Sequence, residues 1–104
     1  MKNSELRNIL VEKCKELDLK GNAFALFENI FTQNSVNELT EIFGELNRES
    51  IHPEFENYSF YISKNETSIR TRLNIKNTEN DQIGWYEIVT NFNGDFLDEF
   101  LNLF

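Results

Sequence analysis

An α+β architecture is written into this 104-residue chain: about three N-terminal helices packed on one face of a four-stranded antiparallel meander sheet. Up to Leu46 apolar residues recur every three or four positions; beyond His52 they recur at every second one. Near the C-terminus the pair Asn93-Gly94 separates two apolar runs, the strongest short-range mark of a hairpin. A mass of 12.3 kDa suits a single domain, 1–104, helical over 1–50 and a β-meander over 51–104.

In the first half, Leu6, Ile9, Leu10, Cys14 and Leu17 form one helical stripe, with Glu5, Glu12, Lys13 and Glu16 on the other faces. Ser4 is the expected N-cap and Gly21-Asn22 the expected stop. Phe24, Leu26, Phe27, Ile30 and Phe31 make a second, strongly apolar helix that closes at Gln33-Asn34. Ser35 with Glu38 three residues on is a capping-box signature ahead of Leu39, Ile42, Phe43 and Leu46. His52-Pro53 reads as a hinge between the halves.

In the second half, Tyr58, Phe60 and Ile62 alternate with polar neighbours. Ile69, Thr71, Leu73 and Ile75 alternate with Arg70, Arg72, Asn74 and Lys76. Ile83 to Thr90 is a third β-like run, and Phe96 to Leu101 follows the Asn-Gly turn. The connections at 64–66 and 77–81 are short and polar, which makes neighbouring strands antiparallel. Residues 95–104 also fit an amphipathic helix, because Phe96, Leu97, Phe100, Leu101 and Phe104 have helical spacing; the preceding turn favours a strand.

Ten Lys and Arg against 18 Asp and Glu leave a formal charge of −8, which argues against nucleic acid and anionic membranes as partners. Aromatic residues at 13% argue against disorder. The start of the chain is charged and no window has the length of an apolar membrane span. With a single cysteine, Cys14, an internal disulfide is impossible, which fits a cytoplasmic protein.

Catalytic signals are missing from the sequence. His52 is the one histidine and stands alone before a proline, while Cys14 lies on the apolar stripe of a helix, where a small buried thiol is the ordinary reading. No Cys or His partner stands at metal-ligand spacing, and the four glycines are dispersed. The expectation is therefore a protein without catalytic residues, metal or other cofactor. From Glu79 to Phe104 there are six acids and no Lys or Arg. Of these, Asp95, Asp98 and Glu99 cluster as an acidic rim, either a solvated edge or a surface that steers a basic partner.

If Ile69, Leu73 and Ile75 face the helices, then Arg70, Arg72 and Lys76 face outward, beside Tyr61 and, in one register, Trp85 and Glu87. A sheet covered on one side leaves its other face wet or free to bind. Trp85, Tyr86, Tyr61, Arg70 and Arg72 are of the types enriched at interface hot spots. The plainer alternative is that the arginines pair with Glu87 across strands.

The run Ile83-Gly84-Trp85-Tyr86-Glu87-Ile88, followed by Asn93-Gly94-Asp95-Phe96-Leu97-Asp98-Glu99-Phe100-Leu101, resembles the terminal hairpin of small bacterial immunity proteins. These belong to contact-dependent growth inhibition and related polymorphic toxin systems. The resemblance covers about the last half of the chain, together with size and acidic charge. It implies a non-enzymatic inhibitor that occludes a cognate toxin domain, often a basic nuclease, in the producer's cytosol. Two other readings stand beside it. One is a cystatin-like, cone-shaped α+β ligand-binding or enzyme domain; the other is a homodimeric structural protein using the open sheet.

Overall fold

A computed structural model describes residues 2–104. The element order is α1 (Asn3–Glu16), α2 (Leu19–Gln33), α3 (Val36–Phe43), a single 3-10 turn (Arg48–Ser50), β1 (His52–Ile62), β2 (Thr67–Lys76), β3 (Gln82–Thr90) and β4 (Phe96–Leu103). The sheet runs β1-β2-β3-β4 with every neighbouring pair antiparallel, so the expected α+β meander is the observed one. The segment Phe96–Leu103 is a strand, not a helix.

The helix boundaries differ from the sequence expectation at two places. Helix α1 starts two residues earlier than a Ser4 cap implies: Lys2 is the N-cap and no side chain caps it. Gly21-Asn22 does not end α1 but lies in the first turn of α2. The break comes at Asp18, which adopts a left-handed conformation (φ 50°, ψ 43°). The side chain of Asn22 reaches back to donate to the Leu17 carbonyl at the end of α1, at 3.3 Å. The Asp18 carboxylate lies beside Gly21, 2.6 Å from where a Cβ would stand. The Ser35–Glu38 capping box forms as expected: the Glu38 amide donates to Ser35 Oγ (3.2 Å) and the Ser35 amide to Glu38 Oε1 (2.8 Å).

His52-Pro53 is not a hinge. It opens β1, which starts six residues before the alternation at Tyr58 becomes visible in sequence. Proline is tolerated there because β1 is an edge strand, where a missing N–H breaks no ladder. A bulge between Phe55 and Asn57 interrupts the alternation further.

Two of the three hairpin loops share one design. Asn77 and Asn91 each close a five-residue turn: their amides donate to the Asp81 and Asp95 carbonyls at 2.9 and 3.0 Å. Each asparagine Oδ1 also accepts from two amides inside its own loop, at 2.9 to 3.0 Å. The fourth loop position takes positive φ, with Asn80 at 67° and Gly94 at 88°. The Asn93-Gly94 hairpin therefore has three central residues, with only Gly94 left-handed, rather than the two-residue turn in which both would be.

The core forms where α2 crosses the sheet. Ala23 and Phe27 of α2, Phe43 of α3, Leu73 and Ile75 of β2, and Tyr86 and Ile88 of β3 form one buried cluster with Ile51. Phe27 is its centre: ring centroids lie 5.5 Å from Phe31, 6.5 Å from Phe43 and 5.4 Å from Tyr86. A second cluster of Cys14, Leu19 and Ile69 holds α1 to the sheet, flanked by Leu17, Tyr58, Phe60 and Phe92. Both clusters use the same face of the sheet.

Two predictions follow from loop and core. Gly94→Ala places a Cβ at left-handed φ and 3.1 Å from Leu17 Cδ2, so urea denaturation should show a loss of about 1–2 kcal/mol. Asn80→Gly, at the matching position of the other loop, should instead leave stability unchanged or raise it by a few tenths, roughly 0.5 kcal/mol. Stability should also fall in alkali. Burial pushes the Cys14 thiol from 9.0 up to about 11, and burial with the Glu99 hydrogen bond raises Tyr86 above its ordinary 10.0. Both native groups keep protons that the unfolded chain releases, so their contribution is full below pH 9.0 and declines above it. In Cys14→Ala the decline should begin near the tyrosine value of 10.0 instead, read from urea midpoints across pH.

Candidate functional site

The pleat of β3 divides the residues singled out in the sequence. Leu73 pairs with Tyr86, and both point to the helices; Asn74 pairs with Trp85 and Arg72 with Glu87, and these point away. Trp85, Glu87, Arg70 and Arg72 therefore meet on the open face, as one of the two sequence registers required. Tyr86 does not join them. It is fully buried against Phe27, so it offers a partner no surface, and its hydroxyl donates to the Glu99 carboxylate.

Glu87 organises the open face. Its side chain is only 5% exposed although no second layer covers that side. Oε1 accepts from Arg72 Nε at 3.1 Å and Oε2 from Arg70 Nη1 at 3.2 Å. The two guanidiniums thus form the lid that buries the carboxylate between them. Each lid also rests on an aromatic ring: Arg72 Cζ stands 4.1 Å from the Trp85 centroid and Arg70 Cζ 5.8 Å from that of Phe100. The expected cross-strand pairs of the arginines with Glu87 are present, and the aromatics are layered onto them. Phe100 escaped the sequence reading. Its signal was available once β4 is taken as a strand, because Phe100 stands opposite Glu87.

Around this centre the face is polar. Lys76 pairs with Glu54 at 3.0 Å, Gln82 donates to Asn74 at 3.0 Å, and Asn74 donates to Glu56. Tyr61 shares the open face, opposite Ser68 and half-exposed, but at the far end of β1. Tyr61 pairs with Ser68 and Trp85 with Asn74, six residues further along β2, so Tyr61 lies about 20 Å along the strand from the tryptophan row at 3.3 Å per residue.

The acidic rim is divided in the same way. Asp95 sits in the β3–β4 loop, where Oδ2 accepts from Asn91 Nδ2 at 3.0 Å. Asp98 is opposite Val89 and points outward, whereas Glu99 is opposite Ile88, points inward and accepts the Tyr86 hydroxyl. The three acids are close in sequence without sharing a face.

His52 is exposed at the start of β1 and Cys14 is buried in the second core cluster. Among the described residues no three His, Cys, Asp or Glu side chains stand close enough to hold a metal ion. A concavity of ≈ 600 Å³ lies between α1 and β1 and is lined mainly by Leu6, Leu10, Val11, Phe55, Tyr58 and Phe60. The space between α2 and the sheet is filled by Phe27, Leu73, Tyr86 and Ile88. Among the described residues no helix is long and apolar enough to cross a membrane. No protein-family model matches the chain, and neither the curated proteins nor the solved structures hold a significant match.

The layering predicts an order of stabilities. Arg70→Met with Arg72→Met leaves Glu87 buried without a counter-charge and should cost about 3–5 kcal/mol in urea denaturation. Glu87→Gln leaves two arginines that are 42% and 33% exposed and free to turn to water, so its cost should be smaller, about 1–2 kcal/mol. The reverse order would mean that the arginines, not the carboxylate, carry the desolvation penalty.

Proposed function

We propose that this chain is a binding protein of the immunity type, which occludes a cognate toxin domain with the open face of its sheet and carries out no turnover. One observation supports the reading above the others: the Arg72–Trp85 and Arg70–Phe100 stacks, both anchored by Glu87, form a pre-ordered arginine–aromatic surface. Such side chains lose little freedom on docking, which is what a tight inhibitor needs. Arg72 bonds Glu87 through Nε alone, so its terminal amino groups remain available to a carbonyl or carboxylate on a partner. The resemblance of the β3–β4 hairpin to immunity proteins supplies the partner class, and a cytoplasmic site of action goes with it. The net charge of −8 suits a basic nuclease domain.

The groove between α1 and β1 favours a second reading, a domain that binds a small apolar ligand there. The two readings place their contacts on opposite sides of the sheet and are separable by mutation.

The test is co-expression with whatever protein domain the neighbouring gene encodes, followed by co-purification and binding kinetics. Wild type should co-purify and restore growth. Trp85→Ala, checked for folding, should raise the dissociation rate by about tenfold or more, as expected for a desolvated anchor. Asp98→Lys should chiefly slow association, by an amount that shrinks as salt rises, because exposed charges are screened over ~8 Å at physiological ionic strength. Unchanged kinetics in Trp85→Ala, together with a loss in Leu10→Arg, would move the interface to the α1 groove.

A further inference from the structure

The two edges of the sheet are finished differently. On β1, Pro53 and the bulge at Phe55/Asn57 interrupt the edge, and α1 lies alongside to form the groove. On β4 there is no proline, no lysine and no bulge between Asp98 and Leu103. Apolar side chains stand open on both of its faces: Phe96 is 52% exposed, Leu97 50% and Phe100 41%, with Phe104 just beyond the strand at 76%.

The hydrogen-bond phase of this edge can be fixed. The Phe104 amide donates to the Ile83 carbonyl at 2.9 Å, and the register between Glu87 and Leu103 is unbroken. Asn102, Phe100 and Asp98 therefore also bond to β3, and the amides and carbonyls of Glu99, Leu101 and Leu103 point to the free side. The one free-side donor that has a partner is the Glu99 amide, which donates to the carboxylate of Asp98 at 2.8 Å. An anion thus plugs the edge where a neighbouring strand would seat its carbonyl.

From this geometry we infer that the free edge of β4 accepts an extended, basic segment of another protein as a fifth strand. Three features select that occupant. The unbonded groups of Leu101 and Leu103 require an extended backbone. Their side chains on the inner face and Phe100 on the outer face call for apolar residues between the charges. The carboxylates of Asp98 and Glu99, in a segment without Lys or Arg from residue 77 to the end, call for ammonium or guanidinium groups that draw Asp98 off the Glu99 amide. A second copy of β4 brings five further apolar residues but only more carboxylates. The inference does not rest on the toxin reading: it shares Phe100 and Asp98 with the open face but uses neither Trp85 nor the arginines, and its readout is the free edge of β4.

The experiment uses the intact protein and a blocked nonapeptide of alternating lysine and valine at low salt, with the glutamate–valine peptide as its counterpart. Binding is followed by fluorescence anisotropy and by residue-resolved amide hydrogen exchange. The lysine peptide should bind at least about tenfold more tightly than the glutamate peptide, and the gap should narrow with salt. Exchange at Leu101 and Leu103 should slow by about tenfold on binding, while Phe100 and Asn102, already bonded to β3, stay as they were. Asp98→Lys should weaken the lysine peptide, and Asp98→Asn should do so by less. Equal affinity for the two peptides, protection that falls on the helices or on β1, or absence of binding at millimolar peptide each overturns the inference. So does slow exchange of Leu101 in the protein alone accompanied by dimer mass in light scattering, because the edge is then occupied by a second copy.

Discussion

The contact between Phe27 and Tyr86 is the joint on which the two layers depend. Phe27 is where α2 and α3 meet, through Phe31 and Phe43, and Tyr86 carries that contact into the central part of the sheet. A buried tyrosine needs a partner for its hydroxyl, and the one it finds is Glu99 on the edge strand. One side chain therefore ties helices, β3 and β4 together. Replacing it by phenylalanine keeps the ring contact but leaves the edge strand without its polar tie to the core.

Because Tyr86 must face inward, its neighbours must face outward. Trp85 and Glu87 are thereby committed to the open face whatever else the chain does. A carboxylate in that position, flanked by large side chains, becomes desolvated, and two arginines of β2, Arg72 opposite it and Arg70 on the diagonal, are what makes this tolerable. The arginine–aromatic surface is in this sense a by-product of core packing. The same arrangement that satisfies Glu87 sets the guanidiniums over the rings of Trp85 and Phe100.

Much of the architecture was legible because it rests on periodicity. The change of period near His52 separated helices from strands, and Ser35 with Glu38 marked the start of α3. What was not legible depended on single backbone conformations or on parity. Nothing local in sequence signals the left-handed Asp18 that divides α1 from α2, whereas Gly21-Asn22 signals a stop and is used for something else. Pro53 reads as a break, although an edge strand admits it. The run from Ile83 to Thr90 is apolar or aromatic at both parities, so it concealed which face Tyr86 takes. In β4 the spacing of Phe96, Leu97, Phe100 and Leu101 looks helical because, in a strand, it puts apolar residues on both faces. The same parity scattered Asp95, Asp98 and Glu99, which a linear reading sees as one patch.

The loop at Asn91–Asp95 bears on how the protein ages. Asn-Gly sequences are the ones most prone to deamidation, which begins when the glycine nitrogen attacks the asparagine side-chain carbonyl to close a five-membered imide. In this loop the Gly94 amide donates to the Asn91 carbonyl at 3.1 Å, and the Asn93 amide is held by the Asn91 side chain at 2.9 Å. The attacking nitrogen is thereby held by a bond the reaction must break, in a turn that must open before the ring can form. The hydrogen bonds that shape the hairpin also act as a chemical preservative for its most perishable residue.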